Sequence, residues 1–137
     1  MADDLKNSIA VAGSGLQAQS ARIKIVAQNI ANSDATATSP GEDPYRRKTI
    51  SFKNVLDKEI GAEKVVVSKI GVSKGEFEKI YDPAHPAADK DGYVKKANVN
   101  RNVEMMDLRE AQRTYEANLS VIEVTKAMLT RTLDIMR

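Results

Sequence analysis

The residues best equipped for chemistry are gathered in one short stretch, "YDPAHPAADKDGY", from Tyr81 to Tyr93. It holds the only histidine of the 137-residue chain, three aspartates and two of the four prolines. A divalent cation is the first possibility. Asp89, Asp91 and Gly92 fall at the third, fifth and sixth positions of a calcium-binding loop of the EF-hand type. The first and twelfth positions are then Ala87 and Asn98, where calcium needs a carboxylate and a bidentate glutamate. The frame fails. Zinc asks for several nitrogen or sulfur ligands, and His85 stands alone in a chain without cysteine. Acid–base catalysis by Asp82, His85 and Asp89 would need an orienting partner and a pocket, which two prolines and a sparse local core do not promise. No catalytic residue, metal ligand or cofactor-binding residue is expected. The stretch reads instead as a stiff connector without internal hydrogen bonds. Pro83 and Pro86 push Asp82 and His85 toward extended conformations, and Gly92 supplies the positive φ of a closing turn.

The elements that hold this connector lie at the two ends of the chain. Leu5, Ile9, Ala12, Leu16, Gln19, Ile23, Val26 and Ile30 are spaced alternately by four and three residues, with Gln19 the one polar break. That spacing predicts a long amphipathic helix with a heptad seam, capped at Asp3 or Asp4. Met105, Leu108, Gln112, Tyr115, Leu119, Ile122, Lys126, Leu129, Leu133 and Met136 repeat the pattern near the C-terminus. Asn102 is the expected cap there, with Glu104 and Asp107 in the first turn, where acidic groups suit the helix dipole.

A second apolar stripe runs along each helix at one residue per heptad: Val11, Ala18 and Ile25 in the first, Val121, Met128 and Ile135 in the last. It lies about 100° or more from the seam by helix geometry, so a simple two-helix pair would leave it in water. The middle of the chain has little to cover it with, and the stripes are expected to be buried by other chains. A contact between different patches on successive copies builds an open assembly unless its rotation happens to close. Gly13 and Gly15 either permit close approach of a neighbouring backbone or mark a weak point in the first helix.

Three segments are therefore expected: helix over 1–32, a loop and β module over 33–102, and helix over 103–137. The fold class is mainly α, with heptad helices forming a coiled-coil-like core around a small β-rich insert. Within the insert, "NSDATATSPGEDPYRR" reads as loop and "YRRKTISF" as a strand. "FKNVLDKEIG" reads as a short helix ending at Gly61. "KVVVSKIGVSKGEFEKIY" reads as a β-hairpin turning at Gly75 in the left-handed region.

Composition narrows the function classes. Twenty-one basic and 19 acidic residues are interspersed for a net charge of +2, which gives no field to attract nucleic acid, and the run Arg46–Lys48 is too short to change that. No segment reaches the roughly 20 apolar residues of a membrane span, so direct membrane insertion is not expected. The first residues are acidic where a secretory signal is basic.

Several motifs together resemble the bacterial flagellar axial proteins of the rod and hook class. "AQNIANSD" is similar to the shared motif that closes their first helix, and "YEANLSVIEVTKAMLTRTLDIMR" to their C-terminal helix motif. "PYRRKTISF" and "YDPAHPAADKDGYVKKANVN" resemble the proximal-rod type within that class, as does the long segment "SDATATSPGEDPYRR" after the first motif. The matching positions are Asn29, Ile30, Ala31 and Asn32; Pro44, Tyr45 and Arg46; and Tyr115, Glu116, Ala117 and Asn118. The resemblance implies a structural subunit of the rod that crosses the periplasm and transmits torque, exported through the flagellum-specific type III apparatus without a cleavable signal peptide. Its partners would be other copies, other rod proteins, and the junction and ring components of the basal body. The expected assembly residues are Leu5, Ile9, Leu16, Ile23, Val26, Ile30, Val11 and Ile25 on the first helix. On the last they are Tyr115, Leu119, Ile122, Leu129, Leu133, Val121, Met128 and Ile135. A coiled-coil adaptor or export chaperone that closes into a small oligomer is the alternative.

Overall fold

The structure, a computed structural model, describes residues 1–137. Two long helices bracket two small sheets: α1 (Ala2–Ala31), β1 (Lys48–Asp57), β2 (Ala62–Val72), β3 (Glu78–Tyr81), β4 (Tyr93–Lys96) and α2 (Arg101–Ile135). Both helices form where the periodicity predicts, and neither contains proline. Their caps differ from expectation. α1 begins at Ala2, with the Leu5 amide donating to the Met1 carbonyl, so Asp3 and Asp4 sit inside the first turn and serve the dipole rather than the cap. α2 is capped by Asn100, not Asn102: the Asn100 side-chain oxygen accepts from the Asn102 and Val103 amides. Residues two and three beyond a cap are the donors such a side chain reaches.

The β module pairs differently from the sequence reading. β1 and β2 form one two-stranded sheet and β3 and β4 another, so "KVVVSKIGVSKGEFEKIY" is not a hairpin, and its two arms belong to different sheets. "FKNVLD" is strand, not helix. Its apolar residues at 52, 55 and 56 fit a helical period, but a strand partner of similar length lies just beyond Gly61. The turn decides the matter. The Asp57 carboxylate accepts from the Glu59 amide, the Gly61 amide closes on the Asp57 carbonyl at 2.8 Å, and Gly61 takes φ +65°. Lys64 then pairs with Asp57 across the hairpin at 2.6 Å. Four connecting residues permit only an antiparallel pair. Gly75 has no positive φ; its carbonyl instead accepts from Arg46 and Asn98.

The chain divides into two compact units, each assembled from discontinuous segments. Unit 1 comprises 1–23, 51–69 and 109–137, and unit 2 comprises 24–50 and 70–108. In unit 1 the helical segments run antiparallel, since Gly15 faces Asn118 while Arg22 pairs with Glu110 at 3.7 Å. Gly15 makes the closer approach, because a Cβ would lie 2.7 Å from the Asn118 side-chain nitrogen and that side chain would have to shift, whereas Gly13 faces open space. The β1–β2 hairpin is tied to α1 by Asn7, which donates to the Ile60 carbonyl at 3.0 Å, and by Ser14, whose hydroxyl accepts from the Val65 amide at 3.2 Å. In unit 2, β3 and β4 pair in register from Glu78 opposite Lys96 to Tyr81 opposite Tyr93. Residues 35–37 bond to the other edge of β4, and Ala37, Ala87 and Val94 form a small core.

Candidate assembly surface

The "YDPAHPAADKDGY" stretch lies in unit 2 and is not a hydrogen-bond-free connector. Tyr81 pairs with Tyr93, so the residues between must return on themselves. They do so through Asp82 and Gly92, through successive turns onto the Asp82 and His85 carbonyls, and through Gly92 itself at φ +85°. The Asp89 carboxylate accepts from the Tyr93 amide and also from the Asp91 amide, which holds its pKa below the ordinary value. Both nitrogens of His85 are occupied: Nδ1 accepts from the Ala87 amide at 3.0 Å, and Nε2 therefore carries the proton and faces the Thr36 hydroxyl at 3.1 Å. No three acidic or histidine side chains converge as a metal site would need. The imidazole closes a loop.

The first motif turns out to be a structural hub. Asn29 is fully buried and uses its amide four ways. Its Nδ2 donates to the Lys48 carbonyl at 2.9 Å and to Glu104 Oε2 at 3.2 Å; its Oδ1 accepts from the Lys48 amide at 2.9 Å and from the Tyr45 hydroxyl at 2.7 Å. A carboxamide alone matches this pattern, because it presents a donor and an acceptor to the backbone of Lys48 as a strand neighbour would. Glu104, also fully buried, completes the cluster by pairing with Arg47 Nε. Burial, and then the charge of Glu104, raises the Tyr45 pKa. Arg46 donates to the Ser73 and Gly75 carbonyls and lies 4.3 Å over the Phe77 ring. Pro44 is buried and Ile30 half-buried; Ala31 is exposed, and the Asn32 side chain, just past the end of α1, bonds only to the Gln28 carbonyl. Of the last motif, Tyr115 and Asn118 are half-buried and Glu116 and Ala117 exposed.

Glu104 and Arg47 were not singled out by the sequence. The sequence places Glu104 in the first turn as a dipole partner and Arg47 in the short basic run Arg46–Lys48. The available signal was that each needs the other once the chain folds: a carboxylate on the inner face of a helix requires a cation.

The expected assembly residues separate by helix. On α1 the second stripe is covered within the chain, with Ala18 2% and Ile25 7% exposed, as is Val26 of the seam at 3%. This corrects the expectation that the middle of the chain cannot cover the stripe. Within unit 1, the β1–β2 hairpin, where the sequence suggests a short helix and a different hairpin, lies along the Ser14 side of α1, with Val65 lining one groove with Val11 and Ala18. Ile25 and Val26, both buried, offer no area to a partner in this conformation. Leu5, Ile9, Leu16, Ile23, Ile30 and Val11 are half-buried.

On α2 the most covered line runs through Glu104, Ala111, Asn118, Thr125 and Thr132, one per heptad, and not through the apolar seam. Tyr115, Ile122 and Leu129 flank it half-buried, while Leu119 and Leu133 are exposed. The second stripe is bare, with Val121 47%, Met128 52% and Ile135 85% exposed, and Val124 beside it is exposed as well. Small and polar groups face inward because the two helices of unit 1 approach closely at Gly15. The bulky aliphatics are displaced to the flanks.

A groove of about 550 Å³ opens in unit 1 between α1, the start of β2 and α2. Val11, Ala12, Gly15 and Ala18 line one wall, Ala62 and Val65 another, and Asn118 and Val121 the third. Gln19 also lines it, and its side-chain oxygen is buried without a hydrogen-bond partner. No helix is long and apolar enough to cross a membrane.

Comparison with known families and proteins gives one consistent answer. The family described as "Flagella basal body rod protein" matches residues 9–37, and that described as "Flagellar basal body rod FlgEFG protein C-terminal" matches residues 90–135. The flagellar basal-body rod protein FlgC of Agrobacterium fabrum is 50% identical over 135 residues, covering 98% of this chain and 97% of that protein. The proteins of the same name from Bacillus subtilis and Salmonella typhimurium are 38% and 37% identical, each covering 94% of this chain and 96% of the relative.

Proposed function

The chain belongs to the FlgC family of flagellar basal-body rod proteins, and we propose that it enters the rod through the apolar faces its two terminal helices leave open. It is a structural subunit of the basal-body rod. The observation that supports this route of assembly is the bare stripe of α2 at Val121, Met128 and Ile135. Residues 1–32 and 103–137 are the assembly segments, and 33–102 is the module they carry. The role is non-enzymatic. His85, the residue most open to a catalytic reading, is engaged at both ring nitrogens.

Assembly among copies and with other rod proteins, as a proximal part of a shaft crossing the periplasm, accounts for the design in physical terms. Near-axial helices packed by many small aliphatic contacts form a coiled-coil-like core that spreads torque over a large area. Each dispersion contact is weak and the sum is large. The buried Asn29–Glu104 cluster would keep unit 2 from yielding under that load. Junction and ring components of the basal body are the remaining partners, and export proceeds through the flagellar type III route.

Sedimentation over a wide range of protein concentration tests the reading. An open-ended rise in mass with concentration is expected. A plateau at one small stoichiometry would favour the closed adaptor, and a monomer at every concentration would leave the exposed stripe without this purpose.

A further inference from the structure

Resting on the reading that copies associate through the terminal helices, we infer that the groove of unit 1 is the receptor for a ridge on α2 of a second copy. The ridge is formed by Val124, Met128 and Ile135, which share one face of the helix at intervals of four and seven residues and are all exposed.

Four observations on the molecule support this pairing. The first is length. The groove follows α1 from Asn7 to Gln19, about 18 Å at 1.5 Å per residue, and the ridge from Val124 to Ile135 is about 17 Å long by the same rise. The second is shape. The α1 wall carries a run of small residues, Ala12, Gly15 and Ala18, between Val11 and Gln19, and the ridge carries bulky side chains and no proline or glycine. Knobs of this kind seat between small residues where two helices approach closely. The third is charge. The groove lining has no ionic group, and the ridge has one, Arg131, which makes no ion pair in this chain. Glu63, exposed between the lining residues Ala62 and Val65, stands at the rim with only a 3.4 Å contact from the Asn54 amide. Arg131 of one copy is placed to meet Glu63 of the next.

The fourth observation identifies the occupant as another copy. α2 supplies one wall of the groove through Thr114, Asn118 and Val121. A helix cannot enter a groove that it walls, so the ridge must come from a different molecule. Gln19 adds an unsatisfied polar group to this mainly apolar seat, beside Asn7, Ser8, Thr114 and Asn118, since its buried oxygen has no donor in the isolated chain. Because groove and ridge are different patches, the contact is heterologous and repeats from copy to copy.

The absence of native cysteine makes a disulfide trap unambiguous. Full-length Val11→Cys and Met128→Cys proteins are mixed at a concentration where the unaltered chain associates, then oxidised, with Val72→Cys replacing Val11→Cys as the control. The mixed Val11–Met128 dimer is expected to exceed the Val72–Met128 dimer several-fold. In parallel, Met128→Lys should weaken association on the order of tenfold, because a methionine side chain loses its burial. Arg131→Glu should weaken it and be rescued by Glu63→Arg. Equal trapping at Val11 and Val72, or no rescue by the charge exchange, would overturn the pairing while leaving association itself intact. An unaltered chain that does not associate would overturn both. Circular dichroism of each variant separates loss of fold from loss of contact, and the exposed Met128 and Arg131 positions keep the fold intact.

Discussion

Replacing Asn29 by alanine removes the one side chain that holds four partners in unit 2. The change frees the amide and carbonyl of Lys48, the Tyr45 hydroxyl and one oxygen of Glu104. Lys48 and Tyr45 are only partly buried, so water can restore some of these bonds. Glu104 is fully buried and keeps only Arg47. An unsatisfied buried polar group costs about 1–3 kcal/mol, and more when it is charged. With the charged Glu104 oxygen cut off from solvent and the other three bonds only partly restored by water, the expected loss is about 3–5 kcal/mol. That is a large part of the roughly 5–15 kcal/mol by which a domain is stable. At about 3–5 °C per kcal/mol for a chain of this size, the midpoint should fall on the order of 10–20 °C. Asn32→Ala is the internal control. Its side chain bonds only to the Gln28 carbonyl at 2.8 Å, and its loss should cost less than about 1 kcal/mol. Urea unfolding followed by circular dichroism measures both. The reasoning is refuted if Asn29→Ala and Asn32→Ala fall within about 1 kcal/mol of each other, because two asparagines of one motif would then be equivalent despite their different burial.

The two glycines of α1 should also part company. Gly13→Ala meets open space and should stabilise the chain by about 0.5–1 kcal/mol through helix propensity. Gly15→Ala must displace the Asn118 side chain 2.7 Å away and should show no such gain in the same unfolding assay. Gly92→Ala combines φ +85° with a Cβ 2.9 Å from the Tyr81 ring, and should lower stability by about 1–3 kcal/mol and alter the near-ultraviolet signal of the Tyr81–Tyr93 pair. Acid sensitivity follows from Asp34 and Asp89, whose pKa values are lowered, by the Lys96 hydrogen bond and the Arg101 charge in the first and by the Tyr93 and Asp91 amides in the second. Their carboxylates stabilise the fold above the unfolded-state value, and that contribution is lost as the pH falls through the lower folded value. The urea midpoint should therefore drop between about pH 5 and 2, and Asp89→Asn should flatten the decline.

What was legible in the sequence was set by local periodicity. The four-three spacing of Leu5 to Ile30 and of Met105 to Met136 defines both helices, because a helix closes its hydrogen bonds within itself. The strands were harder because each depends on a partner. "FKNVLD" fits a helical period as well as an extended one, and only β2 and the Asp57–Gly61 turn decide for strand. The same limit hid the closed loop of Asp82 to Gly92, which follows from the register of Tyr81 with Tyr93 and not from its prolines. Among the apolar stripe and seam residues, the sequence shows Val121, Met128 and Ile135 as an unpartnered stripe, and they are bare, while the burial of Ala18, Ile25 and Val26 was not legible. The residues at both sites are aliphatic and equally spaced, and only tertiary cover tells them apart. Asn29 was visible through its motif, but its four bonds come from residues 16 to 75 positions away in the chain.

The central claim is that the aliphatic face of α2 is completed by neighbouring subunits. An image of the assembled rod at side-chain resolution tests it most directly. Val124, Met128 and Ile135 should each lie against another subunit, with Met128 beside Val11 or Val65 of the adjacent copy. Density showing these three side chains open to solvent or lining an empty channel would contradict the account.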